Sequence, residues 1–283
     1  MGLFYTNKQI RKINFMIDQT QINFFQQHGA ICLKGYFIDW VDKLRNGIEK
    51  LISNPSPRER SYTPKDGSAP FFQDLCNWQR IKEFEEFIYK SDAGKLASKL
   101  MQSNTARFFH DHVLVKEPGS SIVTPWHQDQ SYYCTSGLQT ISFWIPLDKV
   151  SIETTLNCIS GSHKWNKLHK PKRFDGTDLF KNDKSEEVPD IDSNLNNYNI
   201  LSWPIEPGDA IGFNFRTLHG APANNGSLSR RRVFSARWVG DDAIFVDKKG
   251  KGSPPFDHLT LMDGEKLTGD DFPLIYNSNY WDI

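Results

Sequence analysis

Thr124-Pro125-Trp126-His127-Gln128-Asp129-Gln130-Ser131-Tyr132-Tyr133 is the stretch from which the rest of the chain can be read. In an extended segment successive side chains point to opposite faces, so His127 and Asp129 lie on one side and Gln128 on the other. An imidazole and a carboxylate on one side are two of the three groups of a 2-His-1-carboxylate face, which leaves positions open on Fe(II). Gln128, turned away, is expected to serve the structure around the ligands. The triplet alone is weak evidence. With 8 His and 23 Asp in 283 residues, chance supplies roughly two thirds of one His-x-Asp per chain.

A second block supplies what the first lacks. Gly208-Asp209-Ala210-Ile211-Gly212-Phe213-Asn214 leads to Thr217-Leu218-His219-Gly220-Ala221-Pro222, and then to Ser229-Arg230-Arg231-Arg232-Val233-Phe234-Ser235-Ala236-Arg237-Trp238. His219 is the candidate third ligand, and an arginine shortly after it can grip a dicarboxylic cosubstrate through two parallel N–H bonds. A rival pair exists in His110 and His112, which share a strand face with Asp111 opposite. No later block answers them, so they are expected beside the site as hydrogen-bonding residues.

The set His127, Asp129, His219 and a downstream Arg, with Gly161-Ser162-His163-Lys164 between, resembles the phytanoyl-CoA dioxygenase family of iron(II)/2-oxoglutarate oxygenases. The resemblance is clear from about residue 107 to 245 and looser on either side. It implies Fe(II) held by His127, Asp129 and His219, with 2-oxoglutarate and O2 as cosubstrates. The implied reaction releases succinate and CO2 and hydroxylates a carbon of a small or medium-sized metabolite. It further implies that Trp144 meets the cosubstrate through its indole N–H, against plain core packing, and that His163 occupies a turn or pocket wall. Asp129 speaks for hydroxylation, because halogenating relatives carry Gly or Ala there to admit chloride. Two departures stand out: Glu153-Thr154-Thr155 where an Asn-Gly turn is common, and Ala221 where a hydroxyl residue is common. A cupin-type metal enzyme without 2-oxoglutarate, or a non-catalytic binding protein, would need neither the complete ligand set nor the arginine cluster.

Three adjacent arginines compete for the cosubstrate. The usual family spacing points to Arg230. The strand pattern instead puts Arg231, Val233, Ser235 and Arg237 on one face and Arg230, Arg232, Phe234, Ala236 and Trp238 on the other. Short Val and Ser leave room on an inner wall, while Phe and Trp suit packing against helices. Arg231 is therefore the expected cosubstrate residue, with Arg230 as the alternative.

The rest of the chain supports a mainly β fold with flanking helices, a double-stranded β-helix (jelly roll, cupin-like). Helices are expected over 18–28, 39–52 and 79–103, the last broken near Ser91-Asp92-Ala93-Gly94, with a strand at 31–37 and a loop at 55–70. From 107 the pattern changes to short strands: 108–116, the metal strand, 138–148, 155–159, 210–215 and 231–239. Many short strands with turn signals between them suggest a sandwich or barrel. The 20 Phe, 9 Tyr and 8 Trp suit such a core. One domain over 1–283 is expected, with a helical buttress at about 15–105, a jelly-roll core at about 106–240 and a lid-like loop at about 161–202. That loop is polar, with Lys164, Lys167, Lys170, Lys172 and Arg173 first and Asp183, Glu186, Glu187, Asp190 and Asp192 later. Long structureless loops are solvated or serve as lids; as a lid, the basic half would favour an anionic substrate.

Partners follow from charge and hydropathy. Formal net charge is zero, so no global basic field recruits nucleic acid or an anionic membrane. No apolar run approaches the roughly 18 residues of a membrane span, and the start lacks a signal-peptide layout. Cys32, Cys76, Cys134 and Cys158 show no C-x-x-C spacing, which suggests neither zinc nor a disulfide framework. A reducing cytoplasm is the expected compartment. Met1-Gly2-Leu3-Phe4-Tyr5-Thr6 satisfies the short myristoylation pattern, read as accidental, and Trp281-Asp282-Ile283 is not a peroxisomal signal.

Overall fold

The computed structural model describes residues 17–173, 177–180, 183–224, 229–248 and 252–281; the Met1–Thr6 pattern and the final Asp282-Ile283 lie outside them. Helix α1 (Gln19–His28) opens on a capping box, in which the Asp18 carboxylate accepts the Gln21 N–H and the Gln21 side chain accepts the Asp18 N–H. It stops at Gly29, whose φ is 76° and where a Cβ would come within 2.3 Å of His163. Only glycine meets both demands. Strand β1 (Ala30–Leu33) is shorter than the 31–37 read from sequence, because Gly35 turns the chain at φ 71° and Asp209 accepts its N–H. Helix α2 (Val41–Ser53) buries Val41, Leu44, Ile48 and Leu51 along one stripe.

The structure adds a strand the sequence did not announce, β2 (Phe71–Leu75). Its alternation is masked by a buried polar residue, Asp74, which accepts bonds from Ser56 and Asn77. Helices α3 (Lys82–Lys90) and α4 (Ala93–Met101) occupy the expected helical region and part at Ser91-Asp92. Then come β3 (Thr105–Lys116), β4 (Thr124–His127), β5 (Thr135–Ser136), β6 (Thr140–Pro146), β7 (Asn157–Ile159) and β8 (Ile200–Leu201). The order continues with β9 (Ala210–Phe213), β10 (His219–Ala221), β11 (Arg231–Val239), β12 (Ile244–Phe245), β13 (Leu274–Asn277) and the short α5 (Ser278–Trp281).

These strands pair antiparallel into a major sheet, β1-β9-β6-β11-β3-β13 with β2 also on β3, and a minor sheet, β4-β10-β7-β8. The apolar layer between them joins Trp144, Ile211, Phe213 and Val233 of the major sheet to Cys158 and Ala221 of the minor one. This is the jelly roll. No helix among the described residues is long and apolar enough to cross a membrane, and all four cysteines are free.

The other face of the major sheet is covered by the helices. Phe234 on β11 sits against Phe84 and Phe87 of α3, with ring centroids 4.6 and 5.4 Å away. Trp238 meets Phe108 edge-on at 5.1 Å. Alternation along β11 thus sends Phe234, Ala236 and Trp238 to the helices and leaves Arg231, Val233, Ser235 and Arg237 facing the minor sheet. Phe234→Ala should destabilise the protein by about 3–5 kcal/mol, as aromatic truncations in closed cores do. Urea denaturation checks this; a loss under about 1 kcal/mol would mean the helices are loosely seated.

Candidate metal centre

His127 ends β4, His219 begins β10, and the two stand directly opposite each other in the minor-sheet ladder. Opposed residues of an antiparallel pair project to the same side, which brings the rings to 4.2 Å between centroids. Gln128 is extended, at φ −114° and ψ 128°, so Asp129 returns to the His127 side before the chain enters a 3-10 turn over Asp129–Ser131. Ligand atoms of His127, Asp129 and His219 lie within 4.8 Å of one another. Each imidazole Nε2 is 3.8 Å from Asp129 Oδ1.

The tautomers are set by the backbone. His127 Nδ1 lies 2.8 Å from the Pro125 carbonyl and His219 Nδ1 lies 2.9 Å from the Thr217 carbonyl. A carbonyl only accepts, so both Nδ1 atoms carry hydrogen and both Nε2 lone pairs face the common point. Burial lowers His127, and burial together with the neighbouring His127 brings His219 down to about 3. Both rings are therefore neutral near pH 7, the form that binds metal.

Asp129 is held as a carboxylate from behind. Burial alone would raise it; Arg237 above all, then the two imidazoles and the Ser142 hydroxyl, outweigh burial and hold it far below the usual carboxylate range. Ser142 Oγ donates to Oδ2 at 2.9 Å and Arg237 Nε stands 3.4 Å from the same oxygen. Arg237 also donates to the Tyr133 hydroxyl. With Oδ2 occupied, Oδ1 is left to the imidazole side, as outer partners of a ligating carboxylate should arrange. Sequence reading placed Arg237 on the inner face without giving it this role; two positions of alternation from Val233 were the available signal.

From this point the inner face of the major sheet runs in rows. His110, Arg237 and Ser142 are paired across β3, β11 and β6; His112, Ser235 and Trp144 form the next row; Leu114 and Val233 follow, then Lys116 and Arg231. Arg231 is 5% exposed, donates to the Thr154 carbonyl and lies over the Trp144 ring at 5.9 Å. The Glu153-Thr154-Thr155 corner, which departs from the Asn-Gly pattern, thus supplies a carbonyl to the arginine. Arg230 and Arg232 turn outward: Arg230 pairs with Glu117 and Glu49, Arg232 with Asp148 and Glu49. Arg231, Trp144, Ala221 and the three candidate ligands line one cavity of about 680 Å³, inside the range of ligand sites.

The rival histidines are not assembled. His110 and His112 share the inner face, but among the described residues the single cluster with metal-ligand spacing is His127, Asp129 and His219. Asp111, on the other side of the strand, accepts the Asn77 and Trp78 N–H groups. His163 lies under α1, with Nε2 3.3 Å from the Gln26 carbonyl.

The long loop is fastened over the cavity mouth. Gln128, 1% exposed, donates to the Lys167 and Arg216 carbonyls and accepts the His169 N–H. Tyr132 exchanges bonds with the Lys172 backbone, and Trp126 Nε1 donates to Asp192 at 2.8 Å. The basic half of the loop is paired with its own acidic half: Lys167 with Glu186, and Lys170 and Lys172 with Glu187. Pairs of this kind add little stability, but they offset the charge of three of the five basic residues in that half, leaving Arg173 on the cavity wall. Gln128→Ala removes two bonds to the loop, at Lys167 and His169, and one to Arg216, so cleavage after Lys167 or Lys172 in limited trypsinolysis should quicken by about tenfold or more, for a local loss of about 1.4 kcal/mol or more. An unchanged cleavage rate would show the loop is held elsewhere.

A jelly roll with two neutral imidazoles and one carboxylate turned to a common point is the framework of a non-haem metal enzyme. The chain matches the phytanoyl-CoA dioxygenase family over residues 25–232, and it belongs to that family. No curated protein is similar to it at a significant level. Among solved structures it resembles the non-haem α-ketoglutarate-dependent carbocyclase SnoK from nogalamycin biosynthesis, at 20% identity and TM-score 0.72, covering 92% of this chain and 96% of that one. It also resembles the epimerase SnoN in complex with Fe3+, α-ketoglutarate and nogalamycin RO, at 20% identity and TM-score 0.70 over 90% and 97% of the two chains. EvdO2 from Micromonospora carbonacea var. aurantiaca, complexed with 2-oxoglutarate, aligns at 21% identity and TM-score 0.59 over 86% and 98%. At such identities the likeness speaks for the fold.

Proposed function

We propose that the protein is an Fe(II)- and 2-oxoglutarate-dependent dioxygenase that hydroxylates a carbon of a small or medium-sized metabolite. His127, Asp129 and His219 would hold the iron, and Arg231, above Trp144, would hold the far carboxylate of 2-oxoglutarate. Bound there, iron and 2-oxoglutarate supply O2 activation with release of succinate and CO2. The observation that carries the reading is the pairing, in one cavity, of a three-donor cluster with a buried arginine that has no carboxylate partner among the described residues.

The chain's own groups do the positioning. Carbonyls of Pro125 and Thr217 fix the imidazoles, and Ser142 and Arg237 fix Asp129. Leu179, the segment 187–192 and Tyr132 shield the mouth from water. The three solved relatives include a carbocyclase and an epimerase, so the fold alone leaves the outcome open; Asp129, in the position where halogenating relatives have Gly or Ala, speaks against halogenation, and hydroxylation is the outcome tested by oxygen gain. Val123, Trp126, Tyr132, Val188 and Ile191 line the cavity beside Arg60, Lys172 and Arg173, which suits a substrate with an apolar or aromatic body that also carries a polar or anionic group.

Anaerobic reconstitution with Fe(II), then 2-oxoglutarate, O2 and a metabolite panel, tests this by succinate release. Expected is slow uncoupled turnover that one substrate class accelerates, with an added oxygen atom found by mass spectrometry. Failure of the iron-loaded protein to consume 2-oxoglutarate under any condition would sink the reading. A product isomerised or cyclised without oxygen gain would retain the cosubstrate and remove hydroxylation.

A further inference from the structure

Lys116 ends β3 and reads in the sequence as an ordinary polar strand end. The structure buries it to 1% exposure. It stands directly opposite Arg231 in the β3–β11 ladder and lines the same cavity. Its Nζ meets the Ile122 carbonyl at 2.6 Å, Thr124 Oγ1 at 3.3 Å and the Pro222 carbonyl at 3.3 Å, and lies 5.0 Å from the centre of the Phe71 ring. The other arginines on and beside β11 each have an acid: Arg237 has Asp129, Arg232 has Asp148, Arg230 has Glu117. Among the described residues no carboxylate acts on Lys116 or Arg231; the charge felt by Lys116 is that of Arg231 itself.

Charging both of two adjacent buried basic groups without a counter-ion is costly, and an anion relieves that cost. We propose that Lys116 and Arg231 together form a two-cation seat for the far carboxylate of 2-oxoglutarate, with Lys116 as a cosubstrate-binding residue that a single-arginine reading leaves out. This rests on the 2-oxoglutarate reading above. A carboxylate offers about four lone-pair sites, enough for the planar fork of Arg231 and the point charge of Lys116 at once. The 2.6 Å bond to the Ile122 carbonyl holds the lysine nitrogen at the cavity wall, and one of the two longer bonds, to Thr124 or Pro222 at 3.3 Å, gives up its N–H to the carboxylate.

The seat has a pH signature. Around Lys116 stand Arg231 on β11, the Phe71 ring on β2, Thr124 on β4 and the Ile122 and Pro222 carbonyls. Burial first, and then the charge of Arg231, bring its ammonium down to about 6. A carboxylate beside it favours the charged form. Binding of 2-oxoglutarate at about pH 8 should therefore take up a proton, and affinity should fall as pH rises above about 6.

Calorimetric titration of the nickel-loaded protein with 2-oxoglutarate, in two buffers of different ionisation enthalpy, reads both effects. The wild type should take up close to one proton at about pH 8. Lys116→Met should bind about ten- to a hundredfold more weakly at about pH 6, the scale of a charge-assisted hydrogen bond, and take up none. 2-Oxovalerate, which lacks the far carboxylate, should bind wild type and Lys116→Met alike. Wild-type binding without proton uptake, or an undiminished affinity in Lys116→Met, would overturn the proposal while leaving the cosubstrate reading intact. A wild type that binds no 2-oxoglutarate would overturn both. Should Lys116→Met not fold, proton uptake by the wild type decides alone.

Discussion

His219→Ala is expected to lose its metal and, with it, consumption of 2-oxoglutarate. The imidazole is one of three donors around the common point, and its Nε2 has no role in packing: Nδ1 makes the backbone bond and the ring face rests on Phe213 at 4.3 Å. Removing merely an outer partner of a metal ligand costs about 10- to 100-fold in affinity; removing the ligand should cost more than the upper end of that range. The fold should remain cooperative, because the loss is one half of a cross-strand pair in the minor sheet while the helix-backed core is untouched. Metal content after anaerobic reconstitution, beside the unfolding transition, measures both. His110→Ala, in contrast, should keep its iron, since His110 Nδ1 serves the Asp111 carbonyl and its ring packs on Tyr133. Full iron in His219→Ala, or loss of iron in His110→Ala, would refute the ligand set.

How much of this was legible follows from the range of the forces involved. The period-2 pattern along 231–239 carried the facing of Arg231, because one strand's alternation is local and a single Phe or Trp reports which side meets the helices. His127-x-Asp129 and His219 were legible as a set, but their direct opposition in the β4–β10 ladder is a matter of register between segments some ninety residues apart, which no local pattern encodes. The same holds for Lys116. Its place at a strand end suggests solvent; only the β3–β11 register puts it against Arg231. Strand β2 was hidden because Asp74 breaks the alternation and is buried by partners from residues 56 and 77. The charge order in the long loop was visible, but not that Glu186 and Glu187 fold back onto three of its basic residues. Composition tells which charges exist; the pairing tells whether any are left for a ligand.

Arg231→Ala should cripple 2-oxoglutarate binding where Arg230→Ala and Arg232→Ala leave it nearly unchanged. Arg230 and Arg232 are engaged at the outer edge with Glu117, Asp148 and Glu49, and removing either forfeits surface pairs worth about 0–1 kcal/mol. Arg231 is buried, inward and, among the described residues, without a carboxylate. Truncating one partner of a buried, hydrogen-bonded charge pair costs roughly 2–5 kcal/mol, which is about 30- to several-thousand-fold in affinity. Arg231→Lys should recover part of this, because the charge returns while the fork, its bond to the Thr154 carbonyl and its stacking over Trp144 do not. The loss in Arg231→Ala should persist up to about pH 10, since burial lowers this guanidinium only that far; the loss in Lys116→Met should shrink as pH rises above about 6 and the wild-type lysine sheds its proton. Anaerobic titration of the Fe(II)-loaded variants, followed by the absorbance that 2-oxoglutarate chelation confers on iron, separates these cases. Wild-type affinity in Arg231→Ala together with a large loss in Arg230→Ala would mean that the cosubstrate enters by the outer edge of β11, and that the inner cavity belongs to the substrate alone.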